Sequence, residues 1–144
     1  MKSKRIAFLA TFLMVCYIIA LFSNYCEEDT VTIDHDRNHL VIEGSYGEEI
    51  ELKNILEITL VPDKPKLKIR SNGFGFGRYQ KGYYKTEKNE LIKLNQHNKR
   101  GPYIQIKSQD ALDWYINLKE KEQTESKYEE LNEYWTSLST DNKK

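Results

Sequence analysis

Asn72-Gly73-Phe74-Gly75-Phe76-Gly77-Arg78-Tyr79-Gln80-Lys81-Gly82-Tyr83-Tyr84 gathers four of the chain's seven glycines into ten residues and sets aromatic side chains between them. A phosphate-cradling loop needs a Lys-Ser or Lys-Thr pair after its last glycine, and a dinucleotide fingerprint needs a strand, a turn and then a helix. This stretch has neither. Alternating glycine instead lets a strand bend or bulge, with Phe74 and Phe76 on one face and Tyr79 anchoring the turn. Gly73, Gly75, Gly77 and Gly82 are therefore read as positions that shape the backbone.

Strand patterns extend on both sides of this stretch. Upstream, Lys66-Leu67-Lys68-Ile69-Arg70 alternates, with Leu67 and Ile69 expected inward and the three cations outward. Ile55 to Val61 reads as a buried strand stopped by Pro62 and Pro65. Glu49 to Leu52 alternates, and Thr30 to Asp34 with His39 to Ile42 makes an opening hairpin around Asp36-Arg37-Asn38. Downstream, Tyr83 to Thr86, Leu91 to Leu94, Tyr103 to Ile106 and Trp114 to Leu118 complete the series. The spacing predicts a meandering antiparallel sheet or small barrel. From Glu120 the period changes: Tyr128, Leu131, Trp135 and Leu138 recur at three, four and three, one apolar stripe of a helix that packs on the sheet. Residues 139–144 are expected to be a polar tail.

The start of the chain has another character. Lys2, Lys4 and Arg5 form a basic flank at 1–5, followed by seventeen uncharged residues from Ile6 to Phe22. A spanning helix wants about 20 apolar residues, and residues 6–25 supply a membrane anchor with Ser23, Asn24 and Tyr25 at its interface. Two rivals stay open. One is a cleaved signal, although the small residues wanted near a cleavage site are missing; the other is a lipid-anchored Cys16 or Cys26, although neither follows a small residue. With the basic flank before the span and Glu27, Glu28 and Asp29 after it, a retained anchor predicts a single-pass protein of the cytoplasmic membrane. Its N-terminus would lie inside and its domain on the extracytoplasmic side.

The chain of 144 residues holds 22 Lys plus Arg against 22 Asp plus Glu, which suits one small domain and excludes a multidomain enzyme. Charge is segregated. Glu27 to Asp63 carries eleven acids and two bases, Lys64 to Lys107 twelve bases and two acids, and Ser108 to Lys144 nine acids and five bases. Either the acidic and basic strands pair across the sheet, or the basic block faces anionic lipid headgroups or an envelope polyanion. Arg70, Arg78, Lys81, Lys99 and Arg100 are the candidate contacts for such a polyanion. Asp34-His35-Asp36 with His39 offers metal-ligand types around one turn without a visible full set, so no metal site is expected, and His97 reads as a solvated loop residue. No nucleophile is paired with a base in any motif with chemical content, so no catalytic residue and no cofactor are assigned.

Gly73 to Tyr79 also resembles the first ribonucleoprotein motif, but Asn72 stands where a phosphate-binding cation belongs and Gly77 where a strand Val belongs. An RNA-recognition domain interleaves two helices with four strands, whereas only one helix is read in the soluble part. A second resemblance covers more of the chain. Leu67 to Tyr84, then Ile92-Lys93-Leu94, Pro102 to Lys107 and the closing helix look like the bacterial pleckstrin-homology-like domains found behind membrane spans, over residues 29–138. That resemblance implies a bent antiparallel barrel of about seven strands, mainly β, capped by the C-terminal helix and preceded here by one transmembrane helix. It implies nothing about ligand. The expected function is a membrane-anchored, non-enzymatic binding module that contacts a protein, a peptide, or an anionic lipid or envelope component. The alternatives are a nucleic-acid-binding domain using the Gly73–Tyr79 strand and an envelope enzyme with an unrecognised site.

Overall fold

The computed structural model describes residues 2–26 and 29–141, with side chains described for 6–23 and 29–138. An apolar helix, α1 (Lys2–Cys26), precedes a β-rich domain of nine strands and a closing helix, α2 (Lys121–Asp141). The strands are β1 (Val31–Asp34), β2 (His39–Ile42), β3 (Glu48–Glu51), β4 (Ile55–Val61), β5 (Leu67–Phe76), β6 (Tyr79–Thr86), β7 (Leu91–Gln96), β8 (Tyr103–Ser108) and β9 (Trp114–Asn117). Within α1, Ile6–Ser23 is long and apolar enough to cross a membrane, a property it would share with a signal sequence, and its side chains are exposed throughout.

Two sheets form, rather than one seven-stranded barrel. β1, β2 and β3 make an antiparallel meander, and a six-stranded sheet runs in the order β4-β8-β9-β7-β6-β5. The second is not a meander. β9 enters between β7 and β8, antiparallel to β8 and parallel to β7. The side chain of Asn117, at the end of β9, makes this insertion workable by satisfying the loop that must pass over it. Its Oδ1 accepts the backbone N–H groups of His97 (2.9 Å) and Asn98 (3.1 Å), and its Nδ2 donates to the carbonyl of Asn98 (2.8 Å).

The sheet curls without closing. β4 and β5 are its two edges, yet they are consecutive in the chain. Six flat strands would hold those edges about 24 Å apart. The six steps from Val61 to Leu67 reach at most about 22 Å, and they must also cross from one end of the sheet to the other, so the sheet bends to meet them.

Side-chain alternation then builds a core on each face. On one face Ile58, Ile104, Ile106, Trp114 and Ile116 meet Val31, Leu40, Ile42 and Ile50 of the small sheet. The helix α2 covers the flank, with Leu131 wholly buried and Tyr128, Trp135 and Leu138 packed on the same cluster, as their spacing predicts. It continues through Asp141, so the expected tail begins inside the helix, while 142–144 lie outside the described residues. On the inner face of the curl, Tyr84, Ile92, Leu94 and Tyr103 pack with Val61, Leu67 and Tyr115.

Two bulges overturn local expectations. The register slips between Leu67 and Ile69, so Ile69 pairs with exposed Lys85 and is 59% exposed instead of facing inward. A second slip between Ile55 and Glu57 leaves Leu56 at 55% exposure within a strand read as buried.

Candidate functional site

The first described residue after the apolar helix, Asp29, reaches into the six-stranded sheet. Its Oδ1 lies 2.9 Å from Lys81 Nζ on β6, and its Oδ2 accepts a hydrogen bond from Asn95 Nδ2 on β7 at 3.0 Å. Asn95 Oδ1 is in turn 3.0 Å from His97 Nε2. Gly44 permits this approach, since a Cβ there would fall 2.3 Å from the Asp29 carboxyl carbon, and its φ of +110° disfavours any side chain. Lys81, expected at the surface as a polyanion contact, is 3% exposed and belongs to this pair. His97, expected in solvent, is 1% exposed, its ring edge against Tyr79.

A second buried cation sits nearby. Lys93 Nζ is 2.8 Å from Glu48 Oε2, which also accepts from Trp114 Nε1 at 2.9 Å, and the ammonium lies about 5 Å from the rings of both Tyr83 and Trp114. Together with Lys107–Glu57, these contacts join the acidic first segment to the basic middle one; only Glu57–Lys107 is a pair across one sheet, while Asp29 lies before β1 and Glu48 reaches Lys93 from the small sheet.

The glycine hairpin projects from the same end of the sheet. Gly73 and Gly82 are register partners whose backbones approach so closely that a Cβ on Gly82 would lie 2.4 Å from the Asn72 carbonyl oxygen, and one on Gly73 2.3 Å from that of Lys81. The register also slips between Arg70 and Asn72, and Gly77 takes the left-handed turn conformation at φ +59°. The hairpin is thereby bent and carried forward to Phe74 and Phe76, on one face as expected. Both rings meet Phe22 of α1 edge-on, at centroid distances of 6.2 and 5.8 Å. Phe76 remains 62% exposed, and an apolar groove of about 450 Å³ runs between it and Ile18, Ile19, Phe22 and Ser23.

Of the expected contact residues, Arg78 lies at this tip, while Lys99 and Arg100 lie in the β7–β8 loop. Arg78 lies in the turn and donates to Tyr79 Oη at 2.9 Å, while its backbone carbonyl accepts from Gln96 Nε2 at 2.7 Å. Gln96 ends β7, and after His97 and Asn98 the β7–β8 loop carries the exposed Lys99 and Arg100. Arg70 stands further back on β5, close to Gly75 and to the Tyr84 hydroxyl, which itself donates to the Phe74 carbonyl at 3.1 Å.

Beneath the tip, the inner face is wired by amides and phenols. Tyr103 Oη donates to Gln96 Oε1 at 2.7 Å and receives Lys64 Nζ at 3.3 Å. Burial holds the Tyr103 phenol well above its ordinary range, pushes Tyr84 upward too, and lowers Lys64. None of these partners was legible in the sequence, where His97 reads as a solvated loop residue and Asn95 and Gln96 lie past the expected strand Leu91 to Leu94.

On the opposite flank a groove of about 650 Å³ separates β1 from α2, bordered by Thr30, Thr32, Glu122, Lys127 and Glu130. A second hollow of about 570 Å³ continues it past His35, Glu133 and Tyr134. Among the described residues β1 pairs with β2 alone, and Thr30, Val31 and Thr32 line this groove. The Asp34, His35, Asp36 and His39 turn is used internally: Asp34 accepts from the Arg37 backbone and guanidinium, which holds its carboxyl below the usual range. No cluster of three metal-ligating side chains occurs among the described residues. No family model, curated protein or solved structure matches the chain.

Proposed function

We propose that this chain is a membrane-anchored, non-enzymatic interaction module that receives an extended basic segment of a partner protein along the groove between β1 and α2. The free edge of β1 carries this reading. A sheet edge offers N–H and C=O groups to an added strand, and here part of that edge borders a groove. Glu122, Glu130 and Glu133 against Lys127 give the groove an acidic lining, which favours a segment bearing Lys or Arg. Two buried cations of the sheet, Lys81 and Lys93, are held in the Asp29–Lys81 and Glu48–Lys93 ion pairs, a structural use of those charges that is consistent with a binding module.

In this role α1 is a retained anchor, with the domain on the extracytoplasmic side, following the basic flank. Kinship with the bacterial pleckstrin-homology-like domains belongs to the same proposal, and a β-rich body closed by one amphipathic helix supports it. Nine strands and the parallel β7–β9 pair depart from the implied seven-stranded antiparallel barrel.

The test uses the full chain in lipid nanodiscs and a fluorescent octapeptide of alternating Lys and Val. Binding should appear, weaken with salt, and fall in the double variant Glu122→Lys, Glu133→Lys, while Arg78→Glu leaves it unchanged. Binding that ignores the groove substitutions defeats the proposal. Protease added to intact cells with the outer envelope opened should remove a tag placed after Lys144. A tag that survives until the membrane is dissolved reverses the orientation.

A further inference from the structure

The aromatic tip of the β5–β6 hairpin has no place in the peptide groove, and its surroundings identify a different partner. The 18 residues of Ile6–Ser23 span about 27 Å at 1.5 Å each, close to the roughly 30 Å thickness of a bilayer's hydrocarbon. Phe22 falls in the last turn of that window, at the level where hydrocarbon gives way to headgroups. Any ring in contact with Phe22 shares that level. Phe74 and Phe76 both do, and the groove beside Phe76 continues one turn deeper, to Ile18 and Ile19.

We propose that the tip Phe74-Gly75-Phe76-Gly77-Arg78 inserts into the bilayer interface beside the anchor, where Arg78, with Lys99 and Arg100 of the adjoining loop, holds anionic lipid headgroups. This rests on α1 being a retained anchor, and on no other part of the reading above. Three features support it. Phe76 is 62% exposed, a poor arrangement in water and a good one in acyl chains. The Arg78 guanidinium is 5.1 Å from the Tyr79 ring centroid and bonded to its hydroxyl, an amphipathic pair suited to the headgroup layer. The tip is also held in position: the Asp29–Lys81 pair fixes the chain leaving the anchor to the same strand, β6, that follows the turn. Lys81, expected as a surface contact for a polyanion, instead holds the tip in place. Aromatic insertion and cationic attraction are the two signals that together give firm interfacial binding.

The test reads depth directly in the full chain, reconstituted in liposomes. Phe76→Trp is compared with Leu91→Trp, a 41%-exposed site at the far end of the sheet, with the emission of native Trp114 and Trp135 subtracted from the parent chain. Lipids brominated high on their acyl chains should quench the indole introduced at position 76, whose emission should also shift to the blue, and should leave the one at position 91 unaffected. Quenching should be stronger with phosphatidylglycerol than with phosphatidylcholine alone, and the double variant Arg78→Glu, Arg100→Glu should abolish that difference. Phe74→Trp serves as a second probe should Phe76→Trp disturb the fold. Equal emission at positions 76 and 91, or equal quenching with and without anionic lipid, overturns the proposal. Resistance of the protein to alkaline extraction is measured on the same liposomes, so loss of the anchor itself is recognised separately.

Discussion

The carboxylate of Asp29 and the ammonium of Lys81 form an ion pair of 2.9 Å, with side-chain exposures of 13% and 3%. Asp29 lies three residues beyond the last residue of α1, and Lys81 sits within the β6–β7 ladder opposite Asn95, so the chain just past α1 is tied to the domain's interior. Removing one partner of a buried pair leaves the other charge without compensation, which costs about 3–5 kcal/mol. Lys81→Met should therefore lower the urea midpoint of the full chain in detergent, and adding Asp29→Asn should restore much of it. A single substitution without effect would show that the pair holds nothing together.

Gly73 and Gly82 should resist substitution where Gly75 does not. Gly82→Ala drives a methyl group into the Asn72 carbonyl at a φ of +117°, and a loss of about 1–3 kcal/mol is expected. At Gly75 the nearest atom is the flexible end of Arg70 at 3.0 Å, so Gly75→Ala should shift the melting temperature little. Thermal unfolding of the three alanine variants side by side checks the contrast.

High pH should weaken the fold through its buried phenols. Tyr103, with its pKa raised by burial, stays neutral in the folded chain at a pH where the unfolded phenol ionises. Stability is thus full below the ordinary phenol range near pH 10 and declines as pH climbs from there toward the raised value. Tyr84 adds in the same direction. Urea titrations between about pH 8 and 11 should show that decline, and Tyr103→Phe should flatten it while lowering stability at pH 8, since Gln96 Oε1 loses its donor.

Asn117→Ala should release the β7–β8 loop. The backbone N–H of His97, buried and bonded to Asn117 Oδ1, would lose its acceptor at a cost of about 1–3 kcal/mol. Lys99 and Arg100 supply trypsin sites within that loop, so limited digestion should cut there faster in the variant than in the parent. Equal rates would mean that other contacts hold the loop.

Strand placement was legible because strands write either alternation or a bounded apolar run into the chain: Ile55–Val61, stopped by Pro62, matches β4 end to end, and the other eight runs fall on the remaining strands. The stripe Tyr128, Leu131, Trp135 and Leu138 likewise marks the buried side of α2. Pairing order was not legible. Nothing in Trp114–Asn117 says that it lies beside β7 as well as β8, since that depends on the Asn117 side chain meeting a loop twenty residues away. The bulges were missed for a related reason: one extra residue at Lys68 reverses Ile69 without altering its apolar character. At the candidate site, the glycines and aromatics of the hairpin were readable from their spacing, whereas Lys81 was misplaced because charge alone does not reveal an internal partner.

The short link between the two sheet edges also governs the order in which the domain can assemble. β4 has no neighbour in its sheet except β8, whose residues Tyr103–Ser108 follow it by some forty positions, with β5, β6 and β7 made in between. During synthesis, β4 emerges with Ile55, Leu56, Ile58, Leu60 and Val61 and then waits for its partner strand, an interval in which a hydrophobic segment is open to misassociation. A chain interrupted before β8 would leave that segment unmatched, so completing the sheet is a late and collective event.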